Sequence, residues 1–218
     1  MIDLHTHTFF SDGELVPAEL VRRAAVAGYR AMAITDHADK SNTAWLLANI
    51  VGVVDELGDA NGMEVLAGVE LTHVAPANLA DAVKLARDHG AQLVVVHGET
   101  IVEPVMPGTN LAAIKAGVDI LSHPGLISAE EVQLAAAMDV CLEITTRKGH
   151  SLTNGHVARL AHKYGARLVI NNDTHAPGDM VSAEQMRRIA LGAAMTEEQF
   201  LQAQKNSAAL VKRAKARG

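Results

Sequence analysis

The sequence predicts an α/β barrel of seven parallel strands, and three observations support that fold class. Apolar runs alternate with stretches of helical periodicity seven times along the 218 residues, which is typical of parallel strands joined by helical crossovers. Each predicted strand ends at or beside a His, Asp or Glu, and the strand ends of a closed barrel converge on one face. The average length of about 31 residues per predicted strand–helix unit is close to that of a typical eight-unit barrel. An open doubly wound sheet, which would use few strand ends, and an eighth strand remain alternatives.

The predicted elements follow one another in regular order, beginning with a strand. Strands are predicted over 2–7, 31–36, 64–70, 92–97, 119–123, 140–144 and 168–172, where aliphatic and β-branched residues predominate. Helices are predicted over 15–27, 44–57, 79–89, 110–116, 128–137 and 155–164. Capping sequences begin at Ser128, Ser182 and Thr196, and the last two open a C-terminal helical segment over 182–216. Since no linker or composition shift interrupts the pattern, we expect one domain over residues 1–218.

The composition excludes several classes of protein. The one cysteine, Cys141, excludes a disulfide scaffold and a cysteine-based zinc site, and it fits a reducing compartment. No apolar run approaches the length that crosses a bilayer, and the first residues do not resemble a signal peptide, so we expect a cytoplasmic protein with no membrane partner. The formal net charge of −6 argues against broad binding to a nucleic-acid backbone. The oligomeric state is not predicted.

Histidine is over-represented for a chain so poor in aromatic residues. There are eleven His against one Trp, two Tyr and three Phe. On the first strand, His5 and His7 point to the same side because side chains alternate across a strand, and such a pair suits one metal ion. Asp12 lies in the following loop, within reach of the same point. Taken alone, the His5–His7 pair could equally be a chance pair of polar residues, and Asp12 could belong to a simple turn.

The same pattern recurs on the later strands. His37 ends the second strand, and Asp36 beside it could fix the tautomer of a ligating imidazole or cap a helix. The remaining strand ends supply Glu70, His97, His123, Glu143, Asp173 and His175. Imidazole and carboxylate ligands suit Zn, Mn, Fe or Ni rather than calcium. Because chance would have to act independently on seven strands, the joint pattern predicts a metal centre.

These residues, in this order, resemble the motifs of the PHP (polymerase and histidinol phosphatase) family of metal-dependent phosphoesterases, over residues 1 to about 180. The resemblance implies a distorted (β/α)7 TIM-like barrel, followed here by the C-terminal helical segment, with three divalent metal ions (Zn, Mn, Fe or Ni). It implies one metal held by His5, His7, Glu70 and Asp173, a second by Asp12, His37 and His175, and a third by Glu70, His97 and His123. Asp12 stands where family members carry His or Asp. All nine ligand positions are filled, which argues against a degenerate, purely structural member.

The implied activity is hydrolysis of a phosphate monoester by water activated at this trinuclear centre, with histidinol phosphate as one candidate substrate. Arg147 and Lys148, in the loop after the sixth strand, are expected to bind phosphate, although a solvated basic loop would look the same. His150 is expected to protonate the leaving alkoxide. Asp36 is counted with His150 as a catalytic residue.

Three alternatives stay open on the sequence alone. A nucleotide or oligonucleotide phosphoesterase of the same family would use the same ligands. An amidohydrolase-type hydrolase also begins with His-x-His, but it bridges its metals with a modified lysine or a carboxylate in an eight-stranded barrel. A regulatory module would keep the metals for stability alone. The expected partner is a small-molecule phosphate ester. Among nucleic acids, only a short oligonucleotide remains a candidate partner.

Overall fold

The barrel wall is a path of parallel strands that follow one another in chain order. The computed structural model describes residues 1–217. Its strands are β1 (Ile2–Asp3), β2 (Ala31–Ile34), β3 (His37–Ala38), β4 (Glu64–Leu71), β5 (Leu93–His97), β6 (Ile120–Ser122), β7 (Cys141–Thr145) and β8 (Leu168–Asn171). Seven of them form the path β1-β2-β4-β5-β6-β7-β8. The short β3 continues the pairing of β2 with β4 in the same register, so the predicted seven-stranded arrangement is confirmed.

The barrel is nearly closed where β1 meets β8. Thr6 and Thr174 form a single parallel bridge, in which the His7 amide donates to the Thr174 carbonyl at 2.8 Å. Below that bridge, side chains replace the missing backbone ladder. The Asn171 side chain accepts from the Leu4 amide at 2.9 Å, and the barrel therefore closes with the distortion that the sequence resemblance implies.

The helices surround this wall. They are α1 (Pro17–Val26), α2 (Thr43–Ile50), α3 (Val54–Asn61), α4 (Leu79–Asp88), α5 (Thr109–Lys115), α6 (Ala129–Ala137), α7 (Asn154–Tyr164), α8 (Ala183–Gly192) and α9 (Glu197–Lys215). Capping boxes begin α6 at Ser128 and α9 at Thr196, as predicted. At the start of α8, the Ser182 hydroxyl accepts from the Gln185 amide. Within residues 1–217, no helix combines the length and the apolar character needed to cross a bilayer.

The prediction of one helix over 44–57 is wrong, because two helices occupy that stretch. α2 ends at Ile50 and α3 begins at Val54, with Gly52 in the turn between them. Glycine in a helix interior costs about 1 kcal/mol relative to alanine, and the apolar periodicity on either side of Gly52 masks this break in the sequence. The turn contains none of the predicted ligands.

The barrel interior is apolar at one end and polar at the other. Inward-facing residues of the strands, including Leu66, Leu93 and Val95, form a buried cluster with Leu210 and Val211 of α9. α9 covers the N-terminal ends of the strands, since its Arg213 pairs with Asp119, the residue just before β6, at 3.2 Å. The opposite end, at the C-terminal ends of the strands, carries the predicted ligands.

Candidate metal centre

The nine predicted ligands lie together at the C-terminal face of the barrel. Glu70, on β4, is the central residue and is fully buried. Its carboxylate lies 3.2 Å from His5 Nε2 and 2.8 Å from His37 Nδ1. It also lies 3.6 Å from His123 Nε2 and 3.7 Å from His7 Nε2. One carboxylate therefore faces four imidazoles from three parts of the barrel, which is the geometry a bridging ligand needs.

Asp173 forms the second inward-facing carboxylate. Its Oδ1 lies 3.3 Å from His7 Nε2 and 3.6 Å from His5 Nε2, and its Oδ2 lies 3.7 Å from His123 Nε2. Both Asp173 and His123 have positive φ, 56° and 24°, a backbone region that costs a residue with a side chain roughly 1–3 kcal/mol and is concentrated at functional sites. The strand ends turn sharply at these two positions, and both side chains face Glu70 or its neighbours.

A second group of donors surrounds Asp12, in the loop between β1 and α1. Asp12 Oδ1 lies 3.2 Å from His175 Nε2, 3.4 Å from His37 Nε2 and 4.0 Å from His7 Nδ1. The loop turns back closely on the first strand. A Cβ on Gly13 would lie 2.4 Å from the His7 carbonyl oxygen, so only glycine allows the turn that brings Asp12 to this point.

The structure gives Asp36 a different role from the predicted one. Its carboxylate accepts hydrogen bonds from the Thr8 amide (2.7 Å), the Thr8 hydroxyl (2.8 Å) and the Ser11 hydroxyl (2.7 Å). The ring of His37 lies instead against the Thr72 hydroxyl, at 2.7 Å from Nδ1. Asp36 therefore holds the loop that carries Asp12, and we assign it a positioning role rather than a catalytic one.

A third group contains His97, His123 and His150, whose ring nitrogens lie close enough to share an ion. His97 Nε2 and His150 Nε2 both approach the carboxylate of Glu103, at 3.1 Å and 3.4 Å. Glu103 is not among the predicted residues, because it lies in the irregular loop between β5 and α5, where no periodicity or motif marks it.

The two basic residues of the predicted phosphate loop, Arg147 and Lys148, lie at different distances from the candidate site. Arg147 lines the cavity of about 240 Å³ above the donors, and its guanidinium donates to the Asp173 carbonyl at 3.1 Å. Lys148 lines a neighbouring cavity of about 520 Å³, which Arg147 also borders. The structure therefore brings Arg147 to the centre and places Lys148 beside it.

Several ring nitrogens at this face lack a hydrogen-bond partner, and this supports a metal centre. Among residues 1–217, His5 Nε2, both ring nitrogens of His7 and His123 Nδ1 are buried without such a partner. A buried polar group without a partner costs free energy. Two ligands of a tetrahedral ion with bonds of about 2.0–2.1 Å lie about 3.3 Å apart, close to the shorter His–carboxylate distances above. The donors thus fit divalent metal ions of the zinc or manganese class.

The pKa values of the predicted ligands reflect both their burial and the close contacts between imidazoles and carboxylates. Burial alone would raise the pKa of Glu70, but His5 and His37 outweigh it and hold that pKa well below its ordinary value. Burial alone would lower the pKa of His37, but hydrogen bonds with Asp12 and Glu70 raise it to about 10. Facing carboxylates likewise raise the pKa of His5 well above its ordinary value against the effect of burial. Burial lowers the pKa of His7 to about 4, so this ring is neutral at pH 7.

Metal binding should therefore release protons at neutral pH and become tighter as the pH rises. The pKa of His37, about 10 in the metal-free protein, and the raised pKa of His5 mean that both rings carry an extra proton at pH 7. A ligating imidazole must lose that proton, so competition by protons falls as the pH approaches 10. Calorimetric zinc titrations at pH 7, in buffers that differ in ionisation enthalpy, measure the release. Binding heats that are independent of the buffer contradict the expectation.

Glu143, on β7, contacts His5, the first of the predicted ligands. The sequence marks it as an acid at a strand end but assigns it no role. It is fully buried, lies 2.8 Å from His5 Nδ1 and accepts from the Asn171 side chain at 2.9 Å. A carboxylate bonded to the second nitrogen of a ligating His fixes its tautomer and orientation, which leaves His5 Nε2 to face Glu70.

Replacing Glu143 with glutamine should weaken metal binding about 10- to 100-fold, the usual effect of losing such a supporting carboxylate. Glutamine keeps the size of the side chain but not its charge, and its amide nitrogen is a donor that cannot accept the hydrogen bond from His5 Nδ1. Competition with a chelator of known affinity measures the change. Glu130→Gln, at an exposed position of α6, is the matched control. Unchanged affinity in Glu143→Gln contradicts the assigned role.

Comparison with known proteins agrees with the family that the sequence motifs resemble. The model of the PHP domain family matches residues 3–163. An uncharacterized protein of Methanocaldococcus jannaschii is 49% identical over 200 residues, which cover 91% of this chain and 92% of that protein. A probable phosphatase of Shewanella sp. strain ANA-3 is 32% identical over 198 residues, with 80% of this chain and 76% of that protein covered.

Among solved structures, the fold resembles that of histidinol phosphate phosphatase from Lactococcus lactis subsp. lactis, which was crystallised with Zn, L-histidinol and phosphate. The TM-score is 0.62 at 15% identity, and the match covers 89% of this chain and 94% of the other. At this identity the likeness concerns the fold, and it agrees with the barrel described above.

Proposed function

This chain belongs to the PHP domain family, and we propose from that premise that it is a metal-dependent phosphoesterase that hydrolyses a phosphate monoester with water. The observation that carries the proposal is the convergence of the nine predicted ligands on one face, where several buried ring nitrogens have no hydrogen-bond partner within residues 1–217. The similarity to a probable phosphatase at 32% identity supports the same class of reaction.

The residues fall into groups that would hold the metals. His5, His7, Glu70 and Asp173 would hold one, Asp12, His37 and His175 a second, and Glu70 would bridge to a third beside His97 and His123. When bound, divalent ions at such positions acidify water and neutralise the charge of phosphoryl oxygens. Glu143, Thr72 and Asp36 would keep the ligands oriented, since each contacts a ligand or the loop that carries one.

Arg147 is the side chain best placed to bind the phosphoryl group. Its side chain is 30% exposed and lines the cavity above the ligands. Its hydrogen bond to the Asp173 carbonyl and its pairing with Asp179 at 3.4 Å fix the guanidinium in position. A guanidinium can grip two phosphate oxygens in a planar fork, so Arg147 would orient the ester and offset the charge that develops on it.

Replacing Arg147 with glutamine should lower kcat/KM for a phosphate monoester about 10- to 150-fold, the equivalent of one charged hydrogen-bonding group worth about 1.5–3 kcal/mol. Lys148→Gln is the matched control, because Lys148 lines the neighbouring cavity, and its effect on a small aryl phosphate should stay below about 3-fold. Steady-state kinetics on one aryl phosphate compares the two. Equal losses in both variants, or no loss in Arg147→Gln, contradict the proposed contact.

Histidinol phosphate is the substrate we propose first, because the structurally similar Lactococcus enzyme bears that name and was crystallised with L-histidinol and phosphate. The cavity above the ligands adjoins the larger one beside Lys148, and Arg147 borders both. A phosphate at the ligands would thus leave room for a polar alcohol in the second cavity.

Nucleotides are a second candidate, which a cluster of exposed aromatic rings favours. Phe9 and Trp45 are 51% and 54% exposed. Phe10 lies between them, with ring-centre distances of 4.4 Å to Phe9 and 5.4 Å to Trp45. Phe9 and Phe10 belong to the loop that carries Asp12, and exposed aromatic rings are the surfaces on which bases stack.

A phosphatase panel on protein reconstituted with Mn or Zn distinguishes these substrates. It should contain an aryl phosphate, histidinol phosphate, nucleoside monophosphates and short oligonucleotides. We expect hydrolysis of the aryl phosphate and at least 10-fold higher kcat/KM for the natural class, with histidinol phosphate first. Hydrolysis of nucleotides alone would move the proposal to the second candidate, and a metal-loaded protein that hydrolyses no ester contradicts the proposed function itself.

A further inference from the structure

The third group of donors contains more potential ligands than the family pattern assigns to it. That pattern uses His97 and His123 with the bridging Glu70. In this chain His150 joins them, and all three imidazoles are buried, with 3%, 2% and 6% of their surface exposed. Glu103 closes the group, because its two oxygens lie 3.1 Å from His97 Nε2 and 3.4 Å from His150 Nε2.

The orientation of His150 leaves one ring nitrogen free to ligate. Its Nδ1 lies 2.8 Å from the buried Thr100 hydroxyl, and its Nε2 therefore faces Glu103. The ring stacks on that of His123, with centres 4.2 Å apart and planes inclined by 19°, and it meets the ring of His97 edge-on at 5.9 Å. Among the described residues, His123 Nδ1 is buried with no hydrogen-bond partner.

We propose that His150 and Glu103 are further ligands of the third metal, so that His97, His123, His150 and Glu103 supply four donors beside the bridging Glu70. The separations of 3.1 Å and 3.4 Å are close to the distance of about 3.3 Å between two ligands of a tetrahedral ion with bonds of about 2.0–2.1 Å. Three imidazoles and one carboxylate suit zinc and the neighbouring transition metals. This inference rests on the proposed metal centre and replaces the predicted proton-donor role of His150, since a ring nitrogen that binds a metal has no proton to donate.

The consequence is a difference in accessibility between the donor groups. Four protein donors are enough to fill a tetrahedral ion, as in structural zinc sites, and with the bridging Glu70 they leave no open position, whereas a catalytic site keeps one position open. The three imidazoles are buried, and Glu103, with 39% of its side chain exposed, is the donor that substrate could displace. The first two donor groups would then bind the metals that activate water. The metal of the third group would have no open position while Glu103 remains a ligand.

Zinc stoichiometry at controlled free zinc tests the proposal without reference to activity. The full chain and its variants Glu103→Gln and His150→Asn are equilibrated in zinc buffers, and bound zinc per chain is measured by mass spectrometry. Glu130→Gln and His162→Asn, both at exposed positions, are the matched controls. We expect three zinc ions in the wild-type chain and the controls, and an affinity for the third ion at least about tenfold lower in both variants.

Two outcomes overturn the proposal: a third zinc held with wild-type affinity in both variants, or fewer than three zinc ions in the wild-type chain. Glu103 is exposed and lies in a loop, so its replacement should leave the fold intact, as circular dichroism can verify. Should His150→Asn not fold, Glu103→Gln decides together with anomalous diffraction at the zinc edge, which must place the Glu103 carboxylate about 2.0–2.2 Å from the third ion. A wild-type chain that binds three ions through these residues but hydrolyses no ester contradicts the proposed function and leaves this site intact.

Discussion

Replacing Glu70 with glutamine should lower kcat/KM for phosphate esters at least about 1,000-fold, more than the loss of a single preorganised donor usually costs. Glu70 is fully buried and faces four imidazoles, and it is the ligand shared between the proposed metal groups. Glutamine keeps the shape and can still accept the Ser122 hydroxyl, which donates to Glu70 Oε1 at 2.8 Å. The loss should therefore come from the missing negative charge rather than from a change in packing.

Metal content separates this explanation from simple unfolding. Glu70→Gln should bind fewer than three metal ions while keeping the circular dichroism spectrum of the wild-type chain, and Glu130→Gln should match the wild type in both measurements. A Glu70→Gln protein with full metal content and wild-type kcat/KM would contradict the bridging role.

The second large effect is expected for His7→Ala, with a loss of at least about 100-fold in kcat/KM. Both ring nitrogens of His7 are buried without a hydrogen-bond partner in residues 1–217. Its Nε2 faces Asp173 at 3.3 Å, and its Nδ1 lies 4.0 Å from Asp12. Alanine removes a donor at the point where the first two groups meet, so both should bind metal more weakly.

The matched control for His7→Ala is His162→Ala, at an exposed position of α7, which should keep wild-type kinetics. Because the substitution also leaves a cavity, His7→Asn provides a second variant with less lost volume, and it should show a similar loss of activity. Full activity in either His7 variant would remove His7 from the proposed centre.

The sequence predicted the fold and the convergence of the strand ends because both depend on local periodicity. Alternation along the predicted first strand, residues 2–7, places His5 and His7 on one side, although β1 itself ends at Asp3, and each apolar run that ends in a polar residue marks a strand end. The resulting barrel of seven parallel strands is confirmed. The interruption at Gly52 was missed because the apolar spacing on either side of it suggests one continuous helix.

The parts of the site that the sequence missed depend on contacts between distant loops. Glu103 meets His150 across 47 positions of the chain, and Asp36 bonds the loop after β1 across 28 and 25 positions. Neither contact can be predicted from hydropathy or residue spacing, because both residues lie where the backbone is irregular. The adjacency of Asp36 and His37 suggested a direct interaction, but on consecutive positions of an extended chain the two side chains point in opposite directions.

The most direct test of the central proposal is release of inorganic phosphate from an aryl phosphate by the same preparation before and after stringent chelation. The proposed metal-dependent phosphoesterase should hydrolyse the ester when reconstituted with Mn or Zn. It should lose that activity when the metal is removed and regain it when the metal is restored. Full activity in the metal-free protein, or no phosphate release from the fully metal-loaded protein across the substrate panel, would contradict the proposed function.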